Sequence, residues 1–184
     1  MGSLKMEPER NASDPLQEPI VNLTTRPATA KDATAMAALL NEIIAIGGST
    51  AYEEPFTGES MDHHYVSARN LIACTVAEQD GELLGFQGLF WPDEKDTFPA
   101  GWAFIATFAR VGRTGGGVGR ALFAETVKAA HGAGVRTIDA TIRGDNTSGL
   151  AFYSRMGFTD YDCLPGVPLK DGTPVDRIRK RFDL

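Results

Sequence analysis

Five of the eight residues in Gly112-Arg113-Thr114-Gly115-Gly116-Gly117-Val118-Gly119 have no side chain. No other stretch constrains this chain as strongly. An apolar, strand-like run ends at Arg110 just before it, and a helical pattern opens with Arg120-Ala121-Leu122 just after. The first N–H groups of a helix have no intrahelical partner, and the helix dipole adds partial positive charge there. Glycines let that backbone come close to a ligand. Strand, glycine loop and helix N-terminus together make an anion cradle suited to phosphate. The competing reading is a tight turn of flexible glycines. Four glycines among residues 115–119, at a helix start, weigh against it.

The 184 residues suit one domain with a full core. Residues 1–19 are rich in Glu, Pro, Asn and Ser without periodicity. They read as a disordered tail or vector-derived remnant, leaving 20–184 as the single domain. A net charge of −6 argues against a nucleic-acid partner held by phosphate neutralisation. The two cysteines, Cys74 and Cys163, are too few for a disulfide framework and lack metal-ligand spacing. A reducing cytoplasm and no metal are therefore expected. No apolar run approaches the roughly 20 residues of a membrane span, so no membrane partner is expected.

Along the chain, residues 20–26 alternate as a first strand. Thr29-Ala30-Lys31-Asp32 resembles a capping box opening a helix with Met36, Leu39, Leu40, Ile43 and Ile44 on one stripe. Gly47-Gly48 ends it, and a loop with Tyr52, Glu53 and Glu54 follows. A weaker helix spans 60–68. Two strands, 71–78 and 82–91, flank Asp80-Gly81, a strong hairpin signal because a type I′ turn needs positive φ twice. A strand over 102–110 feeds the glycine loop, and a helix covers 117–131. A buried strand spans 137–142 and a short helix 146–156. Strands over 158–163 and 175–182 close the chain around a Pro/Gly-rich loop. The basic run Arg177 to Arg181 reads as an edge-strand charge pattern. The order is mixed α/β (α+β), with helices on both faces of a mixed sheet.

Three cradles compete for the glycine loop. A Walker A loop needs lysine where Val118 stands, which rejects it. A dinucleotide fingerprint needs glycine where Leu122 stands. Asp139 does lie about 20 residues on, but a β-meander precedes the loop rather than a βαβ unit. The third type fits along most of the domain. Thr114-Gly115-Gly116-Gly117-Val118-Gly119, then Arg120-Ala121-Leu122, resembles the Gln/Arg-x-x-Gly-x-Gly/Ala signature of the GNAT superfamily of acyl-CoA-dependent N-acetyltransferases. Thr114 replaces the usual Gln or Arg. A second block, Asn146-Thr-Ser-Gly-Leu-Ala-Phe-Tyr153-Ser-Arg-Met-Gly-Phe158, is similar to that family's Asn…Ala…Tyr…Gly-Phe stretch. A weaker likeness, in Asn41-Glu42-Ile43 and Ser49-Thr50-Ala51…Glu53-Glu54-Pro55, touches the phosphinothricin-acetyltransferase-like branch.

The resemblance implies a GNAT-like, mostly antiparallel sheet of six to seven strands and acetyl-CoA as acyl donor. Backbone at Gly115, Gly116, Gly117, Val118, Gly119 and Arg120 would hold the pyrophosphate, with Thr114 beside it. Thr107, Phe108 and Ala109 would align the pantetheine arm and the thioester carbonyl. Tyr153 would protonate the departing thiolate, and Asn146 would bond to pantetheine or to a water near it; packing beside Phe152 and helix capping are the plainer alternatives. Family members often carry a basic Glu on the strand before the cradle, and residues 102–110 contain no acid. Glu53 and Glu54 are then the base candidates. His63 and His64 read as surface residues. The implied reaction is acetyl transfer to a small-molecule primary amine or amino-acid-like acceptor, with a homodimer admitted. The alternative is a non-catalytic acyl-CoA-binding module.

Overall fold

The computed structural model describes residues 22–93, 95–112 and 116–184. Seven strands lie in the order β1-β2-β3-β4-β5-β7-β6. They are β1 (Thr24–Pro27), β2 (Leu71–Gln79), β3 (Glu82–Phe90), β4 (Trp102–Ala109), β5 (Thr137–Arg143), β6 (Thr159–Pro168) and β7 (Pro174–Asp183). All adjacent pairs are antiparallel except β4 and β5. The β2–β3 turn follows its chemistry: Asp80 and Gly81 both take positive φ, 51° and 81°.

Helices cover both faces. On one, α1 (Ala33–Ile46), α2 (Gly58–Met61) and a π turn over Asp62–Val66 bury Met36, Leu39, Leu40, Met61 and Tyr65 against Val76, Phe86, Phe90 and Phe108. On the other, α3 (Val118–Ala133) and α4 (Thr147–Arg155) bury Phe123, Ala130 and Tyr153 against Leu89, Ile105, Ile138 and Ile142. Strand alternation sends Phe86 and Leu89 to opposite sides, which is why both faces need a helical cover.

Several boundaries differ from expectation. The helix predicted over 60–68 is one α-helical turn continued by the π turn, which turns Tyr65 fully into the core. The Thr29–Asp32 box opens on a 3₁₀ turn, with the Asp32 carboxylate accepting from Thr29 N at 2.7 Å and from the Arg26 guanidinium. Residues 20 and 21 of the expected first strand lie outside the described residues. The Pro/Gly-rich segment after Cys163 stays in the sheet, its register shifting between Leu164 and Val167. An edge strand tolerates such a bulge because one side has no ladder to break. The basic run is corrected too: β7 lies inside the sheet between β5 and β6. Lys180 and Arg179 find Asp160, Asp162 and Asp139 on the neighbouring strands, so the run neutralises carboxylates rather than guarding an edge.

One irregularity positions everything that follows. β4 and β5 pair at Trp102↔Thr137, Ala103↔Ile138 and Phe104↔Asp139. Beyond Phe104, β4 stays with β3 as far as Ala109, and β5 stays with β7 as far as Arg143. Mid-sheet, the two central strands part into a wedge.

Candidate active site at the parted strands

The wedge exposes one side of the β4 backbone. Arg110 N donates to Leu84 O of β3 at 2.8 Å, which fixes the alternation along the strand. Phe108 therefore turns its N–H towards β3, while Thr107 and Ala109 turn theirs towards the wedge. Of the three residues expected to align a donor, two present backbone donors there. Phe108 contributes its ring, buried on the α1 side against Phe86 with centroids 5.0 Å apart.

On the α3 side of the wedge lies a chain of short hydrogen bonds. The Tyr153 hydroxyl is 2.9 Å from Thr107 Oγ1. Gln87 Nε2 donates to the same Thr107 oxygen at 2.7 Å, and Thr126 Oγ1 donates to Gln87 Oε1 at 2.5 Å. Gln87 and Thr126 are 1% and 2% exposed, so the inner end of the chain is dry, while Thr107 is half-buried at the wedge. Burial pushes the Tyr153 phenol well above its ordinary value, and the Thr107 bond pulls it partly back. Tyr153 therefore keeps its proton at neutral pH. Gln87 and Thr126 escaped the sequence reading. The available signal was a single amide in an otherwise apolar strand, Leu83-Leu84-Gly85-Phe86-Gln87-Gly88-Leu89-Phe90.

β4 leads directly to α3. Gly117 is the N-cap with φ 83°, a left-handed conformation that disfavours any side chain. The first intrahelical bond runs from Ala121 N to Gly117 O at 2.9 Å, so the N–H groups of Val118, Gly119 and Arg120 precede it. Gly119 has a packing reason as well: a Cβ there would sit 2.5 Å from the Phe152 ring. The Gly116 backbone stands just ahead of the cap. Thr114 and Gly115 lie outside the described residues.

The α1 side of the wedge is built differently. Tyr52, from the loop after α1, has its hydroxyl 3.0 Å from that of Tyr65 and 2.9 Å from His64 Nε2. The Tyr52 ring lies 6.2 Å from that of Phe108, which ties this cluster to β4. His64, read from sequence as a surface residue, is exposed at one edge but packs on Tyr52, Phe56, Tyr65 and Phe90. That burial lowers its pKa and favours the neutral ring. A cavity of about 380 Å³ opens among Ala51, Tyr52, Glu53, Glu54, Pro55, Phe56 and Ser60.

Glu53 and Glu54 sit at the rim of that cavity, and the β6–β7 hairpin tip reaches both. Lys170 N donates to Glu53 at 2.9 Å, and Lys170 Nζ pairs with Glu54. Asn146 caps α4, accepting from Gly149 N at 2.9 Å, and its amide donates to Ser49 O at 2.8 Å. Arg143 adds a bond to Thr50 O at 3.2 Å. Glu53 and Glu54 thus lie on a loop that Lys170, Asn146 and Arg143 tether from the neighbouring elements. Among the described residues no group of His, Cys, Asp or Glu could hold a metal ion, and no helix is long and apolar enough to cross a membrane.

A mixed sheet parted between two parallel strands, with a glycine-led helix springing from one of them, defines an acyltransferase scaffold. A sequence model of the acetyltransferase (GNAT) family matches residues 37–158, and the chain belongs to that family. It is 28% identical over 167 residues to the protein named "Putative phosphinothricin acetyltransferase YwnH" of Bacillus subtilis (strain 168), covering 88% of this chain and 95% of that one. Among solved structures, a ribosomal-protein-alanine N-acetyltransferase from Brucella melitensis superposes with a TM-score of 0.77 at 24% identity, over 88% of this chain and 99% of that chain. A phosphinothricin acetyltransferase from Sinorhizobium meliloti, solved in complex with AcCoA, superposes with a TM-score of 0.74 at 21% identity, over 89% of each chain. The protein is an acyltransferase of the acetyl-CoA-dependent type.

Proposed function

We propose that this chain transfers the acetyl group of acetyl-CoA to a small primary amine by direct attack in a ternary complex. The observation that carries the reading is the buried Tyr153 hydroxyl, 2.9 Å from Thr107 Oγ1 on the stretch of β4 beyond its last pairing with β5 at Phe104. Bound acetyl-CoA would supply an activated thioester and a thiolate leaving group. The N–H groups of Val118, Gly119 and Arg120 suit its pyrophosphate, because a helix N-terminus opened by Gly117 offers unpaired donors and partial positive charge. The backbone of Thr107 and Ala109 suits the pantetheine amides and the thioester carbonyl. An N–H aimed at the oxygen where charge develops is worth roughly 3–4 kcal/mol of barrier in comparable sites.

Tyr153 then gives its proton to the departing sulfur. A free thiol has a pKa of about 8.5 and the buried phenol lies well above that, so the transfer runs uphill and depends on stabilising the phenolate in place. On the α1 side, Glu53 has the better claim to take the proton of the incoming ammonium. Its carboxylate accepts from a backbone N–H, whereas Glu54 is neutralised by the Lys170 ammonium. His64, whose packing favours the neutral ring, bonds to Tyr52 of the same loop and is a further proton acceptor.

Thiol release from acetyl-CoA across a panel of amines and amino acids tests the proposal. Amine-dependent release with stoichiometric N-acetyl product is expected. Tight acetyl-CoA binding without turnover on any amine would replace it with a non-catalytic acyl-CoA-binding module.

A further inference from the structure

The chain Thr126–Gln87–Thr107–Tyr153 has a direction. A hydroxyl owns one proton, and Thr126 gives its proton to Gln87 Oε1 at 2.5 Å. With the carbonyl end of the amide on Thr126, the NH₂ end donates to Thr107 Oγ1 at 2.7 Å. Thr107 already accepts from Gln87, and its own proton lies within reach of the Tyr153 oxygen at 2.9 Å. With Thr107 as the donor in that bond, every donor points towards Tyr153, and the tyrosine proton is left off the chain, free to face the wedge. A Gln87 amide turned the other way would reverse each bond and commit the tyrosine proton inwards to Thr107.

We infer that Gln87 and Thr126 are positioning residues that set the polarity of this chain, so that Thr107 donates to Tyr153 and Tyr153 donates into the wedge. The inference rests on the reading of Tyr153 as the acid. In the step itself the Tyr153 O–H bond breaks, an S–H bond forms on the thiolate, and the electron pair stays on the phenolate oxygen. That phenolate would form in a dry site, where an uncompensated charge is costly. Thr107 stabilises it through a hydrogen bond that strengthens as charge develops, and Gln87 and Thr126 reinforce that donor cooperatively. On its way to the amide the acceptor nitrogen loses two protons, one before attack and one after it; one of them restores Tyr153 through solvent and the other leaves to bulk water, closing the balance.

The test is a set of double-mutant cycles read in steady-state kinetics, with acetyl-CoA and whichever amine supports turnover. Thr126→Val keeps the shape of the side chain and removes its proton donor; Thr126→Ser restores the donor. We expect Thr126→Val to lower kcat about five-fold or more with the KM for acetyl-CoA unchanged, Thr126→Ser to restore it, and Thr126→Val to change kcat less than about two-fold once Tyr153→Phe is present. Gln87→Met should behave as Thr126→Val does. Equal losses with and without the Tyr153→Phe substitution would assign both residues a purely structural role and overturn the inference, as would no loss in either background. If Thr126→Val does not fold, Thr126→Ala is read in the same cycle. Full activity in Tyr153→Phe alone would instead remove the acid reading, a failure distinct from additive losses in an enzyme that needs Tyr153.

Discussion

The two sides of the parted strands are built on different physics. On the α3 side, uncharged groups meet at 2.5–2.9 Å in a dry interior, and each is held by a strand or a helix. On the α1 side, Glu53, Glu54 and Lys170 are exposed charges on two loops that meet far apart in sequence. Preorganised dipoles in a dry site need no rearrangement as charge develops, which suits chemistry that is the same for every acceptor. Exposed charges on tethered loops are screened and adjustable, which suits a site that must admit and release a variable partner. On the proposed function, the β4 backbone divides donor chemistry from acceptor choice.

The strongest way to break this contrast is Tyr153→Phe. It should lower kcat by about 100-fold while KM for acetyl-CoA moves less than about two-fold, since acid catalysis contributes only as the thiolate leaves. Thiol release under saturating amine measures it. Next comes Gly119→Ala, whose Cβ would press on the Phe152 ring at 2.5 Å. Overpacking of this kind costs about 1–3 kcal/mol, read as a lower urea midpoint at unchanged m-value, and it should also weaken acetyl-CoA binding by displacing the α3 start.

Asn146→Ala crosses between the two sides. Loss of the α4 cap should cost about 1 kcal/mol, and loss of the bond to Ser49 O should raise KM for the amine more than for acetyl-CoA. Asp32 is a control remote from the wedge. Its carboxyl is held well below the ordinary range, first by Arg26. A depressed folded-state pKa stabilises the protein fully above the unfolded value of about 4, and the gain fades as pH falls through the folded value. Asp32→Asn should thus cost about 1 kcal/mol at neutral pH and flatten the acid side of the stability profile, with turnover untouched. The smallest effect belongs to Lys170→Ala. Solvent screens an ion pair this exposed, so Tm should barely change while amine KM shifts.

The elements around the proposed donor site were legible in sequence because their signals are local. A glycine loop, the helix it opens and the Asn146–Phe158 block each carry their reasons within a few neighbours. The π turn was not legible, because burial of Tyr65 overrides the ordinary helical period there. His64 is exposed, as read, but its contacts were not legible, because its partner Tyr52 comes from the loop after α1. The contact of Glu53 with Lys170 spans 117 residues and leaves no local mark.

Sequence alone determined the element order, the two hairpin-forming regions, the helix-opening glycines and the residues from which an acyl-donor site could be made. Periodicity, turn chemistry and backbone sterics act over a handful of residues, so they can be read in order along the chain. The tertiary structure decided the rest: that β4 and β5 part after Phe104, that Gln87 and Thr126 reach Tyr153 through Thr107, and that Glu53 ends at a loop rim under Lys170. Those outcomes depend on which faces are buried together, a property of the packed sheet and helices that no single segment carries.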